Sequence, residues 1–432
     1  MELPFRIKFS LSRKLKSYEL PAISKWHNVS RYFGATENQE KEKEKIKMKL
    51  FLKIVTFFIV FSFQKTQSQI IDTLVDVGNH KLHFNIIKGT GIPILFEAGG
   101  GSDGTVWSSI LKPIAEITGA TLITYDREGF GKSTINTLET EISKHGITNS
   151  ILDLEIGLKK LGYNKQIMLV SHSFGGYFST LYSVRNPNLV KSIVLIDVNH
   201  NFMEKFVESD LKKQEKLIPE WKKTNLGLFY MASNIRETTK MMSELSIPQN
   251  IPVVDLINGI SPFKETEKVE YWKECHKKFV ESHPKSIGIT AFECGHGIWF
   301  DNPSLVITTI AKSYAETLNK KQKIEVYERI LNYAISSSNN VKKENKTYLH
   351  SEDNLNNLGY EYLNKNENEK ALETFKLNVL LYPNSGNAYD SYGEILLKLN
   401  KKEDAIKMYK RSIELNPENE NGKKVIIELS KQ

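Results

Sequence analysis

Between residues 80 and 315 the chain alternates short apolar runs with longer stretches of helical spacing. The runs "LHFNII" (82–87), "PILFEA" (93–98), "ATLITYD" (120–126), "QIMLVS" (166–171), "SIVLID" (192–197), "IPVVDLI" (251–257) and "SIGITAF" (286–292) predict strands. Several are almost unbroken apolar stretches, as central strands covered on both faces are. The segments between them, such as "ITNSILDLEIGLKKLG" (147–162) and "GGYFSTLYSVRNP" (175–187), repeat apolar residues at helical intervals. The pattern predicts an α/β domain over residues 70–318, a sheet with helices on both faces.

Two regions break the rhythm. Between about 199 and 250 no strand signal occurs. Met203, Phe206, Leu211, Leu217, Trp221, Phe229, Tyr230, Met231, Met241 and Met242 fall among charged residues at helical spacing, which predicts a helical cap inserted after a sheet strand. After Ala311 the strands stop. A helical linker is expected over 319–352, with Ile324–Ser337 adding helix or docking the carboxy-terminal segment onto the α/β domain. From 353 to 432 the sequence repeats: "LGYEYLNKNENEKALETFKLNVLLYPNS" (358–385) and "YGEILLKLNKKEDAIKMYKRSIELNPEN" (392–419) superpose with Gly359 on Gly393, Ala371 on Ala405, Phe375 on Tyr409 and Pro383 on Pro417. A period of about 34 residues with small, aromatic and proline positions resembles the tetratricopeptide repeat, an all-α architecture that implies a protein or peptide partner.

The amino-terminal part does not join the fold. Residues 1–47 are polar and charged. From Met48 the chain reads "MKLFLKIVTFFIVFSFQKTQSQ", lysines followed by an apolar core and then small polar residues. That order is a signal peptide, cleaved near Ser68–Gln69, and its apolar core is too short to cross a bilayer comfortably. The expectation is translation from Met48 and export to a periplasm or the cell exterior. The alternative is an anchor formed by residues 50–63 behind a genuine tail.

Composition narrows the function. The net charge is +8, but lysines alternate with glutamates, as in "NQEKEKEKIKMK", and no basic stripe carries interleaved aromatics. This reads as solvated helix surface and argues against a nucleic-acid partner. The two cysteines, Cys275 and Cys294, are too few for a disulfide framework and are expected as buried free thiols. No His/Cys cluster has metal-ligand spacing, and neither a dinucleotide glycine pattern nor a phosphate loop occurs, so no cofactor or metal is expected.

The chemistry gathers in four segments. "SHSFGG" (171–176) places Ser173 after an apolar run and before a helical pattern, with small residues two before and two after. A sharp strand-to-helix turn demands such residues and exposes the serine as a nucleophile. The glycine-rich "FEAGGGSDGTVW" (96–107) follows an early strand and can aim a backbone N–H at an oxyanion. Gly100 is the first choice, Gly101 the next, with the amide of Phe174 as the second donor. "YDREGFGKS" (125–133) and "CGHGIWFDNP" (294–303) follow later strands.

Together these segments resemble the α/β-hydrolase superfamily, whose members often carry D-R-x-G-x-G-x-S after a strand. The usual G-x-S-x-G elbow here begins with Ser171. The resemblance implies that His296 is the base, that Asp126 and Arg127 shape a loop, and that the triad runs serine, acid, histidine along the chain. The acid stays open. The family most often supplies it after the post-cap strand, where "INGISPF" (257–263) holds no carboxylate. A subset uses the preceding strand, which selects Asp197; Asp255 is the alternative, with Glu265 and Glu267 behind it. The implied activity is hydrolysis of a carboxylic ester, or of an amide or lactone, through an acyl-enzyme on a small-molecule acyl substrate. The alternatives are an aminopeptidase resembling proline iminopeptidases, using Glu97 or cap glutamates for the substrate amine, and an inactive hydrolase fold serving as a protein-binding platform.

Overall fold

The computed structural model describes residues 69–201, 203, 212, 215–343 and 352–429. The extension 1–47, the leader 48–68 and the cap residues Phe206 and Leu211 lie outside the described residues. Eight strands form one sheet: β1 (Ile70–Asp76), β2 (Lys81–Ile87), β3 (Gly91–Glu97), β4 (Ala120–Asp126), β5 (Ile167–His172), β6 (Val190–Ile196), β7 (Val253–Asn258) and β8 (Ser286–Ala291). Seven coincide with the apolar runs. The eighth, β1, has no counterpart among them. It lies at the sheet edge with only Val75 buried, so "IIDTLVD" carries little apolar signal.

The spatial order is β1-β2-β4-β3-β5-β6-β7-β8. β1 pairs antiparallel with β2, and β2 with β4, while every pairing from β4 to β8 is parallel. Alternation along the strands divides the core in two. On β5, Ile167 and Leu169 join Ile151, Leu154 and Leu158 of α2 (Ile147–Lys160) and Tyr177 and Leu181 of α3 (Gly175–Arg185). Met168 and Val170 join the opposite face, with Ile110 and Ile114 of α1 (Ser108–Thr118). A period of two on a sheet meeting a period of 3.6 on helices yields these two layers. Each fully buried Phe or Ile in them contributes about 1.5–3 kcal/mol of burial energy.

The cap supplies α4 (Ile218–Thr224), α5 (Leu226–Ser233) and α6 (Ile235–Ser243). Asn225 caps α5 by accepting from the Leu228 N–H, and Met242 reaches into the α2–α3 side of the core. Beyond β7 come α7 (Thr266–Ser282), α8 (Ile298–Asp301) and α9 (Pro303–Ala315). Among the described residues no helix is long and apolar enough to cross a membrane. Cys275 and Cys294 are buried and form no disulfide.

The tail begins with α10 (Lys320–Lys343), which is packed rather than loose. Its Val326 and Ile330 complete the α1–α9 side of the core, and Arg329 donates to the Ile117 carbonyl at 2.6 Å. Two helix pairs come next, α11 (Glu352–Asn364) with α12 (Asn368–Leu381) and α13 (Gly386–Lys398) with α14 (Lys402–Leu415), closed by α15 (Glu420–Leu429). The sequence repeat is a packing repeat. A Cβ on Gly359 would lie 2.6 Å from the Phe375 ring, and one on Gly393 would lie 3.0 Å from the Tyr409 ring. Asn366 and Asn400, again 34 apart, share φ 59 at the turn between paired helices.

The fully buried Phe375 therefore holds the first pair together. Replacing it (Phe375→Ala) is expected to cost about 3–5 kcal/mol locally. Hydrogen exchange should show loss of protection in α11 and α12 while β4, β5 and β6 keep theirs.

Candidate active site

Ser173 sits where β5 turns into α3, at φ 52, a left-handed conformation unusual for a residue with a side chain. Strain of this kind costs on the order of 1–3 kcal/mol and persists only where neighbours over-determine it. Here the Ser173 N–H donates to the Ile196 carbonyl at 3.2 Å, and the Ser173 carbonyl accepts from Gly176 N at 3.0 Å and Asn199 N at 2.9 Å. The turn also runs against its neighbours with no room to spare. A Cβ on Gly175 would lie 2.8 Å from the Ala98 carbonyl oxygen, and one on Gly176 would lie 2.5 Å from Val198 Cβ. Ser171 fits at the position where glycine is usual, and its buried hydroxyl finds no partner. Ser173 is half-buried, and its hydroxyl makes no hydrogen bond to a described residue.

Asp197 follows β6 at φ 47 and is fully buried. Its Oδ2 accepts from His296 Nδ1 at 2.6 Å. Its Oδ1 accepts from the Trp272 indole at 2.9 Å and from the Asn258 amide at 3.3 Å. Asn258 ends β7, the strand whose end carries no carboxylate, and that position instead donates to the carboxylate of the neighbouring strand. The loop carrying His296 runs from β8 to α8. Gly295 N donates to Asp301 Oδ2 at 2.7 Å, and His172 Nε2 lies 3.0 Å from the His296 carbonyl. Burial, reinforced by the adjacent His296, pushes His172 down to about 3. Its ring stays neutral, and the contact defines the tautomer with hydrogen on Nε2, donating to that carbonyl. Trp107 and Trp299 flank it.

The other carboxylates drawn from the sequence stand elsewhere. Asp255, the alternative acid, lies within β7 and contacts His200 and His276 rather than His296. It stands three residues short of the strand end at Asn258, and it is the Asn258 amide that reaches Asp197. Glu265 and Glu267 are exposed at the start of α7. The sequence does not single out Trp272, Asn258, His172 or His276, because nothing local marks them; they meet the site through strand order and the packing of α7.

The glycine-rich loop after β3 is pinned from below. Arg127 donates to the carbonyls of Gly99 and Ser102, and its guanidinium lies 5.1–5.8 Å from the ring centres of Phe130, Phe174 and Phe178. Asp126 accepts from Gly104 N, Lys132 N and His83 Nδ1. Gly100 is set opposite Phe174: a Cβ there would lie 3.4 Å from Phe174 Cβ and 3.4 Å from Met231 Cε of the cap. Neither the Gly100 nor the Phe174 amide has an acceptor among the described residues. The Phe174 amide also opens α3, where the helix dipole favours negative charge. Gly101, the second choice, takes φ 78 and faces Leu228.

Glu97 forms the floor beneath the elbow. It is 4% exposed, accepts from the Tyr125 hydroxyl and faces Arg127 at 3.6 Å. Burial outweighs the Arg127 charge and the Tyr125 hydrogen bond and pushes it up to about 7. Its carboxyl is closed off from solvent and already engaged by Tyr125 and Arg127. A cavity beside Phe174, lined by Phe130, Ile147, Phe178, Tyr230 and Met231 and by polar Arg127, Ser150, Asn234 and Thr238, lies between the cap, α3 and the loop after β4. Glu128 also lines it, held by His145 at 3.0 Å.

Residues 92–274 match the family model for the alpha/beta hydrolase fold, and residues 386–419 match the tetratricopeptide repeat. The chain carries an α/β-hydrolase domain followed by a tetratricopeptide tail, and it is a hydrolase. Over 225 residues it is 27% identical to the uncharacterized protein YqjL of Bacillus subtilis, covering 50% of this chain and 81% of that protein. Over 105 residues it is 31% identical to the abhydrolase domain-containing protein abhd-5.2 of Caenorhabditis elegans, covering 24% of this chain and 23% of that one. A solved esterase from Thermogutta terrifontis is 18% identical, covering 58% of this chain and 99% of its own, with a TM-score of 0.42.

The position of Glu97 has a measurable consequence. A carboxyl whose folded pKa lies above its unfolded value stabilises the fold below the unfolded value and loses that contribution as pH rises through the folded one. The stability difference between wild type and Glu97→Gln is expected to shift in favour of the variant from pH 5 to pH 7 and to level off above. Urea denaturation across that range checks it; a constant difference would show that Glu97 is ionised throughout.

Proposed function

We propose that this protein is a serine hydrolase that cleaves a carboxylic ester through an acyl-enzyme, with Ser173 as nucleophile, His296 as base and Asp197 as the acid. The observation that carries this reading is the 2.6 Å bond from His296 Nδ1, in the loop after β8, to the buried Asp197, which follows β6 beside the strained turn that presents Ser173. The carboxylate fixes the imidazole tautomer with Nε2 free to take the serine proton and stabilises the imidazolium that results. Free-enzyme bonds between nucleophile and base are commonly long and close when substrate binds, so the unbonded Ser173 hydroxyl accords with this role. The serine oxygen attacks the carbonyl carbon, and the amides of Gly100 and Phe174 hold the oxyanion. His296 then protonates the leaving alcohol, and water repeats the sequence on the acyl-enzyme. Amides and lactones share the chemistry.

The aminopeptidase reading loses its anchor with Glu97, which is buried and pushed towards neutrality, and Glu220, Glu237 and Glu244 of the cap are exposed. The paired His296 and Asp197 argue against an inactive platform. The tail offers a surface for a protein or peptide, and the leader motif at 48–68 supports export as part of the proposal.

A fluorophosphonate probe is expected to label the wild-type chain and to leave Ser173→Ala and His296→Ala unlabelled. Turnover of a short-chain aryl ester should fall by on the order of 10³–10⁴ in Asp197→Asn, through loss of the productive tautomer, and change little in Glu267→Gln. A folded wild-type chain that does not label would defeat the proposal.

A further inference from the structure

Behind the Asp197 carboxylate lies a second cluster that the triad does not use. His200 comes from the loop after β6, Asp255 from the middle of β7 and His276 from α7, and their exposures are 4%, 0% and 0%. His276 Nδ1 stands 2.7 Å from Asp255 Oδ2, His200 Nε2 stands 3.1 Å from that same oxygen, and the two nitrogens stand 3.0 Å apart. Three donor atoms thus make a closed triangle.

Hydrogen bonds satisfy at most two edges of such a triangle. A ring nitrogen offers either one N–H or one lone pair, along a single axis, and an ionised carboxylate only accepts. If both nitrogens carry hydrogen, both N–H groups converge on the one carboxylate oxygen and crowd each other, their nitrogens 3.0 Å apart. If one does not, its lone pair faces the carboxylate oxygen. Protonating Asp255 uses the lone pair of one ring and leaves the contact between the rings without an acceptor. The site is closed to bulk water, so the mismatch is not screened, and the second oxygen, Asp255 Oδ1, is buried without any partner.

We propose that His200, His276 and Asp255 bind a divalent first-row transition cation of the zinc type, which fastens the loop after β6 to β7 and α7. One cation satisfies all three contacts at once, with both rings acting as neutral donors and the orphaned Oδ1 available as a fourth. A zinc ion holds nitrogen and oxygen donors at roughly 2.0–2.2 Å, which sets tetrahedral neighbours about 3.4 Å apart, so the three donors spread by a few tenths of an ångström as the ion enters. Two imidazoles and a carboxylate are the donor set that imidazole-preferring cations take, rather than magnesium or calcium. The surroundings fit as well. Phe279 stacks on the His200 ring at 4.2 Å, and Trp272 packs against His276 at 5.3 Å. The far nitrogen of His276 has no hydrogen-bond partner and faces Asp197 Oδ1 at 3.8 Å. Metal-bound histidines commonly direct that nitrogen at a carboxylate. With no open position and no exposure, the ion is structural. The sequence does not announce it, because the three ligands lie 55 and 21 residues apart with no short spacing between them.

This inference stands apart from the ester-hydrolase reading and survives its failure. The test is the metal content of the full chain expressed with zinc supplied and dialysed against metal-free buffer, measured by mass spectrometry. About one zinc per chain is expected, falling below a tenth in Asp255→Asn and in His200→Gln. In case either variant fails to fold, chelator-stripped wild type is titrated with zinc and with magnesium. Zinc should raise the melting temperature at stoichiometric addition, and magnesium should not. A wild-type chain that purifies without metal and whose melting temperature zinc leaves unchanged would overturn the proposal.

Discussion

A fully buried carboxylate organises this domain. Asp197 has no contact with water, and an isolated ionised carboxylate in such a place would cost many kcal/mol or take up a proton. It is held by three donors from three different elements: the His296 ring from the loop after β8, the Trp272 indole from α7 and the Asn258 amide at the end of β7. Each donor is placed by a different part of the chain. The strand order β6-β7-β8, the docking of α7 and the loop before α8 must therefore all be correct for one side chain to be satisfied. The same residue sits at φ 47, a second left-handed position beside that of Ser173, and the Ile196 carbonyl that precedes it accepts from the Ser173 amide. Ser173 and Asp197 thus stand at two strained turns after adjacent strands, each braced by the other.

How much of this is legible in the sequence depends on how local each signal is. The parallel strands are legible because burial on both faces makes them continuous apolar runs. β1 is not, because an edge strand with one buried residue has no such run. Ser173 and His296 stand in short motifs whose glycines answer a steric demand of the turn, and the clashes a Cβ would meet at Gly175 and Gly176 state that demand in ångströms. The acid is ambiguous because Asp197 and Asp255 both sit on apolar strands. Only the distance from the strand end separates them, and a one-dimensional pattern does not fix where each strand ends. The donors to Asp197 are invisible for a stronger reason: an indole on a helix and a backbone amide at a strand end acquire meaning only through tertiary contact.

The tail solves a problem of the sheet. β8 is an edge strand in the sheet order, and an open edge presents unpaired backbone groups to other chains. Lys376 of α12 donates to the Gly288 carbonyl, while Leu377 and Leu380 pack against the α1–α9 side of the core. Two tetratricopeptide pairs are few for an independent solenoid, in which each repeat contacts only its neighbours. Here the first pair gains a third partner in the hydrolase domain, and α15 closes the far end. Each part supplies the surface the other lacks.

That arrangement also ties the tail to the chemistry. Leu355 and Tyr362 of α11 and Glu373 of α12 share a cavity with Phe292 and Glu293, which lead into the loop of His296. Burial raises the Glu373 carboxyl, and its backbone contact with Thr290 fastens it to β8. Glu293 takes φ 62, a third left-handed turn in the loops around the site. The position of the His296 ring is therefore set from two directions: from inside by the Asp197 carboxylate and the His172 donor, and from outside by the strand and loop that the repeats cover.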